Sequence, residues 1–153
     1  MTENPDSMIS AAKKVALHSR LPWPVVQRTY RALQAADYLP VSRGRNIWYA
    51  HPNLIGALLI GMACPEEAIG DHVKRFQFAT PNGDGFKPLN FRSKLSKLLT
   101  EEGAADSLDH IVFETNSNRV VVVTRGSDGQ RSQVHTHYHT DPSANSRPMP
   151  LIQ

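Results

Sequence analysis

Two prolines one residue apart, Pro22 and Pro24, interrupt what would otherwise be a long helical pattern near the start of the chain. Proline cannot extend a preceding helix, because it lacks the amide hydrogen and its ring clashes with the previous turn. It sits well in the first turn of a new helix. Residues 7–20 place Met8, Ile9, Ala12, Val15, Ala16 and Ser19 on one face at helical spacing, with Ser7 as N-cap. Beyond the prolines, 23–36 repeats the pattern with Val26, Tyr30, Leu33 and Asp37, flanked by Thr29 and Ala36. The segment Arg20-Leu21-Pro22-Trp23-Pro24 is therefore a tight connection between two amphipathic helices.

The outward face of the second helix carries Gln27, Arg28, Arg31 and Gln34. After it, Val41 to Tyr49 reads as a short hairpin with Gly44 at the tip between Arg43 and Arg45. A third helix, Leu54–Cys64, is apolar on nearly every side and calls for burial or for a second copy to cover it. A fourth is expected from Pro65 to about Phe78, with proline and two glutamates in its first turn. The run 80–85, Thr-Pro-Asn-Gly-Asp-Gly, is the clearest linker.

Beyond the linker, 90–102 reads as a short amphipathic helix with Phe91, Leu95, Leu98 and Leu99 on one face. Three strands follow, at 110–115, 119–125 and 131–139, joined by Asn116-Ser117-Asn118 and by Gly126-Ser127-Asp128-Gly129. They predict an antiparallel meander. The expected organisation is α+β: residues 1–79 as the helical domain, 80–89 as linker, 90–139 as a small α-β-β-β domain, and 140–153 as a disordered tail rich in proline and serine.

Charge and composition narrow the function. The net charge is +3, and the first 64 residues hold seven Lys and Arg against three Asp and Glu, so the positive excess lies in the first third. Such a balance suits a polyanionic partner. The single cysteine, Cys64, rules out an intrachain disulfide and a four-cysteine zinc site, and fits a reducing cytoplasm. The opening residues MTENPDS do not read as a signal peptide, and the longest apolar run falls short of the roughly 20 residues a membrane span needs.

Catalytic signatures are weak. Asn82-Gly83-Asp84-Gly85 holds only a fragment of a dinucleotide fingerprint, and the 126–129 turn lacks nucleophile-elbow spacing. No carboxylate pair or Cys–His pair stands in a catalytic context, so neither an enzyme nor a cofactor is expected. His135, His137 and His139 share one face of a strand, and His110 on a neighbouring strand could add a ligand. The outer two of the triplet are about 13 Å apart along an extended strand, so all three on one ion would require a bend. The expectation is a polar outer face without metal.

A helix, a sharp turn, a second helix presenting Gln and Arg, and then an Arg-Gly-Arg hairpin together resemble the winged helix-turn-helix transcription regulators, in the style of short phage and prophage regulators. The resemblance rests on LPWPVVQRTYRALQAADYLP as turn plus recognition helix and SRGRNIWY as wing, and spans 9–63. It implies that Gln27, Arg28, Arg31 and Gln34 meet bases and phosphates of duplex DNA, with Arg43 and Arg45 as wing contacts. A homodimer is expected through the apolar third helix, with the C-terminal domain free to pair or to bind another protein. The alternative is a protein-interaction adaptor or inhibitor on the same scaffold. Trp23, Tyr30, Trp48 and Tyr49 are expected to serve core packing, with one of the adjacent pair Trp48 and Tyr49 pointing inward.

Overall fold

A computed structural model describes residues 7–41, 48–81, 83, 89–126 and 132–140. Among these the fold is α+β, with five helices and one three-stranded antiparallel sheet. The helices are α1 (Met8–Ser19), α2 (Trp23–Ala35), α3 (Pro52–Ala63), α4 (Ile69–Gln77) and α5 (Phe91–Thr100); the strands are β1 (Leu108–Glu114), β2 (Arg119–Arg125) and β3 (Gln133–His139). Two compact units meet in sequence between Val73 and Lys74, within α4. None of the described helices is long and apolar enough to cross a membrane.

In the N-terminal unit, α1, α2 and α3 pack against one another. Ser7 caps α1 by accepting the Ser10 amide at 3.2 Å. The buried face of α1 is Met8, Ala11, Ala12 and Ala16, so the stripe is rotated from the expected one: Ile9 is 41% exposed and Ala11 takes its place inside. The rotation is tied at the helix start, where the Met8 amide donates to the Trp48 carbonyl at 2.8 Å and Ser7 pairs with Tyr49 in an isolated antiparallel bridge. Small alanines then let the neighbouring helices approach closely.

Both ends of the α1–α2 connection are closed by backbone geometry. Arg20 adopts the left-handed region (φ 57°), the Leu21 amide reaches the Ala16 carbonyl at 3.1 Å, and the Arg20 amide reaches that of Leu17 at 3.2 Å. These two bonds satisfy carbonyls the helix end would leave open. Pro22 then caps α2 with extended geometry, and its carbonyl accepts the Val25 amide at 3.0 Å.

Helix α3 buries Gly56, Ala57, Leu58, Ile60 and Gly61, while Leu54, Ile55, Leu59 and Met62 stay half-buried. Gly61 lets α3 lie close to α2: a Cβ there would lie 3.0 Å from Leu33 Cδ1 and 3.2 Å from Thr29 Cγ2, so those side chains would have to give by a few tenths of an ångström. Helix α4 starts at Ile69 rather than at Pro65. Ala68 has φ 56°, a left-handed conformation no α-helix continues through, so residues 65–68 form a turn before the helix.

In the C-terminal unit the strand order is β1-β2-β3, a meander as expected. The register places Phe113, Val120 and Tyr138 in one row on the same sheet face. Phe76 of α4 and Phe91 of α5 pack edge-on against that row, with Phe76–Phe113, Phe91–Phe113 and Phe91–Tyr138 centroids 5.4, 5.6 and 5.6 Å apart. Thr80 adds a short bridge to the edge of β3, exchanging both backbone bonds with His139 at 3.0 and 2.7 Å. On α5, Phe91, Leu95 and Leu98 are buried, whereas Leu99, expected on the same face, is exposed. Residues of the expected linker at 82 and 84–88, of the β2–β3 turn at 127–131, and of the tail at 141–153 lie outside the described residues.

Candidate nucleic-acid interface

The rotation of α2 is set by Val26, Tyr30 and Leu33, all buried, and this turns Arg28 and Arg31 into solvent on the opposite side. At positions i and i+3 they are neighbours on the helix surface. Neither is tied to another described residue by a hydrogen bond or ion pair, so both guanidiniums retain their donors for a ligand. Gln27 is half-buried at the edge of the same face. Gln34 is half-buried too, and its Nε2 donates to the Pro40 carbonyl at 3.0 Å. Gln34 thus secures the chain as it leaves α2, beside Asp37 in the left-handed region (φ 66°) and a Tyr38 amide bonded to the Leu33 carbonyl at 2.9 Å.

Arg43 and Arg45, expected to flank a hairpin tip, fall outside the described residues, as does the whole of 42–47. The chain on either side of that segment is described. Val41 leaves the end of α2, and Trp48 and Tyr49 return to the start of α1 through the bonds given above. Trp48 and Tyr49 are both exposed, at 51% and 55%, against the expectation that one would point inward. Tyr49 forms an isolated bridge with Ser7 and the Trp48 carbonyl accepts the Met8 amide, so among the described residues this segment belongs to no sheet that would bury either side. Trp23 is half-buried and Tyr30 buried.

Additional cations of this unit, part of its positive excess, lie outside the expected site residues. Lys13 places its ammonium 5.7 Å from the centroid of Trp23, in the first turn of α2. Lys14 and Arg20 are exposed on and just after α1. Three apolar side chains around the α1–α2 turn, Leu17, Leu21 and Val25, are exposed as well, with Leu17 at 74%. Beyond α2, a cleft of about 500 Å³ is lined by Asp37, Tyr38, Val41, Trp48 and Leu54 among others.

The sheet of the C-terminal unit presents a second polar surface. The register sets out three rows on the face opposite Phe113 and Tyr138: His110–Val123–His135, Val112–Val121–His137 and Glu114–Arg119–His139. In the last row Arg119 Nε donates to Glu114 Oε2 at 2.6 Å and Ser117 Oγ donates to the same oxygen at 2.8 Å. The arginine hydrogen bond holds the Glu114 carboxyl below its ordinary range. Burial first, then Arg119 and His137, push the His139 imidazole below its ordinary value. Among the described residues no three His, Cys, Asp or Glu side chains already converge as a metal site.

These two shifts set a pH dependence of the same sign. A group whose pKa is lowered by folding favours the folded state above its unfolded pKa, and that contribution disappears as pH falls through the folded value. The C-terminal unit is expected to lose stability in two steps on acidification, one below about 6.5 from His139 and one below about 4.5 from Glu114. Urea midpoints measured from pH 8 to pH 3 check this: His139→Gln should flatten the upper step and Glu114→Gln the lower. Because the Glu114–Arg119 pair is about one-third exposed, the lower step is worth at most about 1 kcal/mol.

Comparison with protein-family models, with curated proteins and with solved structures finds no match to this chain.

Proposed function

We propose that the N-terminal unit is a winged helix-turn-helix domain and that the chain is a non-enzymatic, cytoplasmic transcription regulator that binds duplex DNA. The observation that carries this reading is the pair Arg28 and Arg31, exposed side by side on a helix whose opposite face is locked into the core. An α-helix fits the major groove, and arginine there pairs bidentately with guanine O6 and N7. Gln27 lies at the margin of the same contact. Val25 and Leu21 add apolar surface at the start of α2, suited to a thymine methyl. Arg43 and Arg45 act as wing contacts to the minor groove or to phosphates. Support for a wing comes from the Ser7–Tyr49 bridge, which returns the chain after 42–47 alongside the start of α1. Gln34 contributes by fixing the base of that segment through Pro40.

Duplex binding measured against salt tests the reading. A binder that neutralises several phosphates loses affinity steeply as salt rises, with a log–log slope of about −0.9 per phosphate. Selection of bound fragments from random duplexes then yields the site. Absent or salt-insensitive binding would remove the proposal.

Dimerisation is proposed through α3. Ile55, Leu59 and Met62 recur at helical spacing on its half-exposed side, and a second copy would cover them. Sedimentation at micromolar concentration should give a dimer, and Leu59→Lys should give a monomer that keeps its helical content. A monomeric parent protein would end this part of the reading.

A second reading, a protein-interaction adaptor, is favoured by one observation: exposed Trp48 and Tyr49 beside the cleft that Trp48 lines. Exposed aromatics next to a concave surface are typical anchors of protein interfaces. Salt-insensitive association with a protein partner, without duplex binding, would decide for it.

A further inference from the structure

We infer that the imidazole-bearing face of the C-terminal sheet is a binding site for a late first-row transition-metal dication, held over Val123 by His110 of β1 with His135 and His137 of β3. Three observations carry it. His110 and His135 stand in the same row on either side of Val123, and His137 stands in the next row beside Val121. All three histidines line one concavity of about 220 Å³ whose floor is Val121 and Val123, 6% and 1% exposed. His110 is also already oriented: its Nδ1 lies 2.9 Å from Asp109 Oδ2, and that oxygen accepts Gln133 Nε2 at 3.2 Å.

The third observation specifies chemistry. A carboxylate only accepts, so Nδ1 carries the proton in that contact and the neutral ring keeps its lone pair on Nε2. A carboxylate behind an imidazole is the usual outer partner of a metal-ligating histidine, where it fixes the tautomer and raises ligand basicity. Two strand spacings of about 4.8 Å separate His110 from His135. Two imidazoles leaning over a small valine can bridge that span at metal–nitrogen distances of about 2.0–2.1 Å. The three ring tips do not converge beforehand. His135 is exposed and can turn toward an ion held at the oriented His110 ring.

The charges on the face indicate where the ion sits. At one end Arg119 occupies the row of Glu114 and His139 and repels a cation. At the other, Arg125 is engaged with the Asp106 carbonyl at 2.6 Å. Between them Asp109 is the carboxylate nearest the His110 ring, and imidazole donors favour Zn²⁺, Ni²⁺ or Cu²⁺ over Mg²⁺ or Ca²⁺. Ligating imidazoles must be deprotonated, so the ion competes with protons for these rings.

The test is titration of the tag-free full chain with Zn²⁺ and Ni²⁺ by calorimetry, with Mg²⁺ as control and histidine ring resonances followed by NMR. Expected are one ion per chain, ring shifts largest at His110, His135 and His137 and smaller at His139, whose ring stacks on that of His137 with centroids 6.3 Å apart, and no response to Mg²⁺. His110→Gln and His135→Gln should each weaken binding by more than tenfold, and Asp109→Asn by about 10- to 100-fold. His18→Gln and His139→Gln should leave it unchanged. Unaltered urea midpoints of the metal-free variants separate ligand loss from misfolding. No saturable binding at millimolar Zn²⁺, or binding indifferent to His110→Gln and His135→Gln, overturns the inference, and so does a loss caused by His139→Gln alone.

Discussion

Arg28→Ala combined with Arg31→Ala is expected to abolish site-specific duplex binding while leaving the fold intact. Each arginine that pairs with a guanine contributes about 1–3 kcal/mol of discrimination. At tenfold per 1.4 kcal/mol, each single substitution should cost about 5- to 150-fold on the selected site. The double variant should approach the non-specific affinity of the parent. Stability should change little, because both side chains are exposed, no described residue depends on them, and alanine is the best helix former. Arg43→Ala with Arg45→Ala makes the contrast: loss of phosphate contacts weakens binding evenly across sequences and flattens the salt slope by about 0.9 for each contact removed. Should the α2 double variant bind its site as tightly as the parent, α2 is not the reading element, whatever Arg43 and Arg45 contribute.

Much of this could be read from residue order because local chemistry and tertiary packing agree. Pro22 and Pro24 mark the end of one helix and the start of the next whatever surrounds them, and the Val26–Tyr30–Leu33 stripe leaves Arg28 and Arg31 only one side to occupy. The run Arg119–Arg125, flanked by turn residues, has the bounds of β2. Legibility ended where a tertiary constraint chose between equal local options. Ile9 and Ala11 both fit a helical face, and it is Ala11 that is buried, in a helix whose start is tied to the Trp48 carbonyl. Pro65-Glu66-Glu67 suits a helix start, but Ala68 in the left-handed region delays the helix to Ile69. Nothing in the composition of Gln34 signals that its amide is bonded to Pro40. The triplet at 135, 137 and 139 is visible as an alternation; that His110 is oriented by Asp109, and faces His135 across Val123, depends on a register with an irregularity at Leu108/His110.

Phe91→Ala is expected to cost the C-terminal unit about 3–5 kcal/mol, the range for removing a fully buried phenylalanine. Phe91 is 0% exposed and sits where three supports of this unit coincide. Its ring packs edge-on against Phe113 and Tyr138, joining α5 to β1 and β3. Its amide donates to the Ala79 carbonyl at 2.8 Å, and its neighbour Asn90 caps α5 by accepting the Ser93 amide at 2.8 Å. Alanine keeps the amide bond and the cap but leaves a ring-sized void beneath the sheet, and the sheet has no other described layer to refill it. Domains of this size have only about 5–15 kcal/mol in total, so the substitution consumes a large share of what holds the unit together. Leu99→Ala on the same helix is the matched control: Leu99 is 41% exposed and its removal should cost under about 1 kcal/mol. Urea unfolding followed by the NMR ring resonances of Tyr138 reads the comparison, since Tyr138 lies against Phe91, while Trp23 and Trp48 both belong to the N-terminal unit and their fluorescence reports on it separately. Equal effects of the two substitutions would mean that the aromatic row Phe113–Val120–Tyr138 is not the core that aligns the strands. In that case the histidine rows on the opposite face would also lose the register on which the metal site depends.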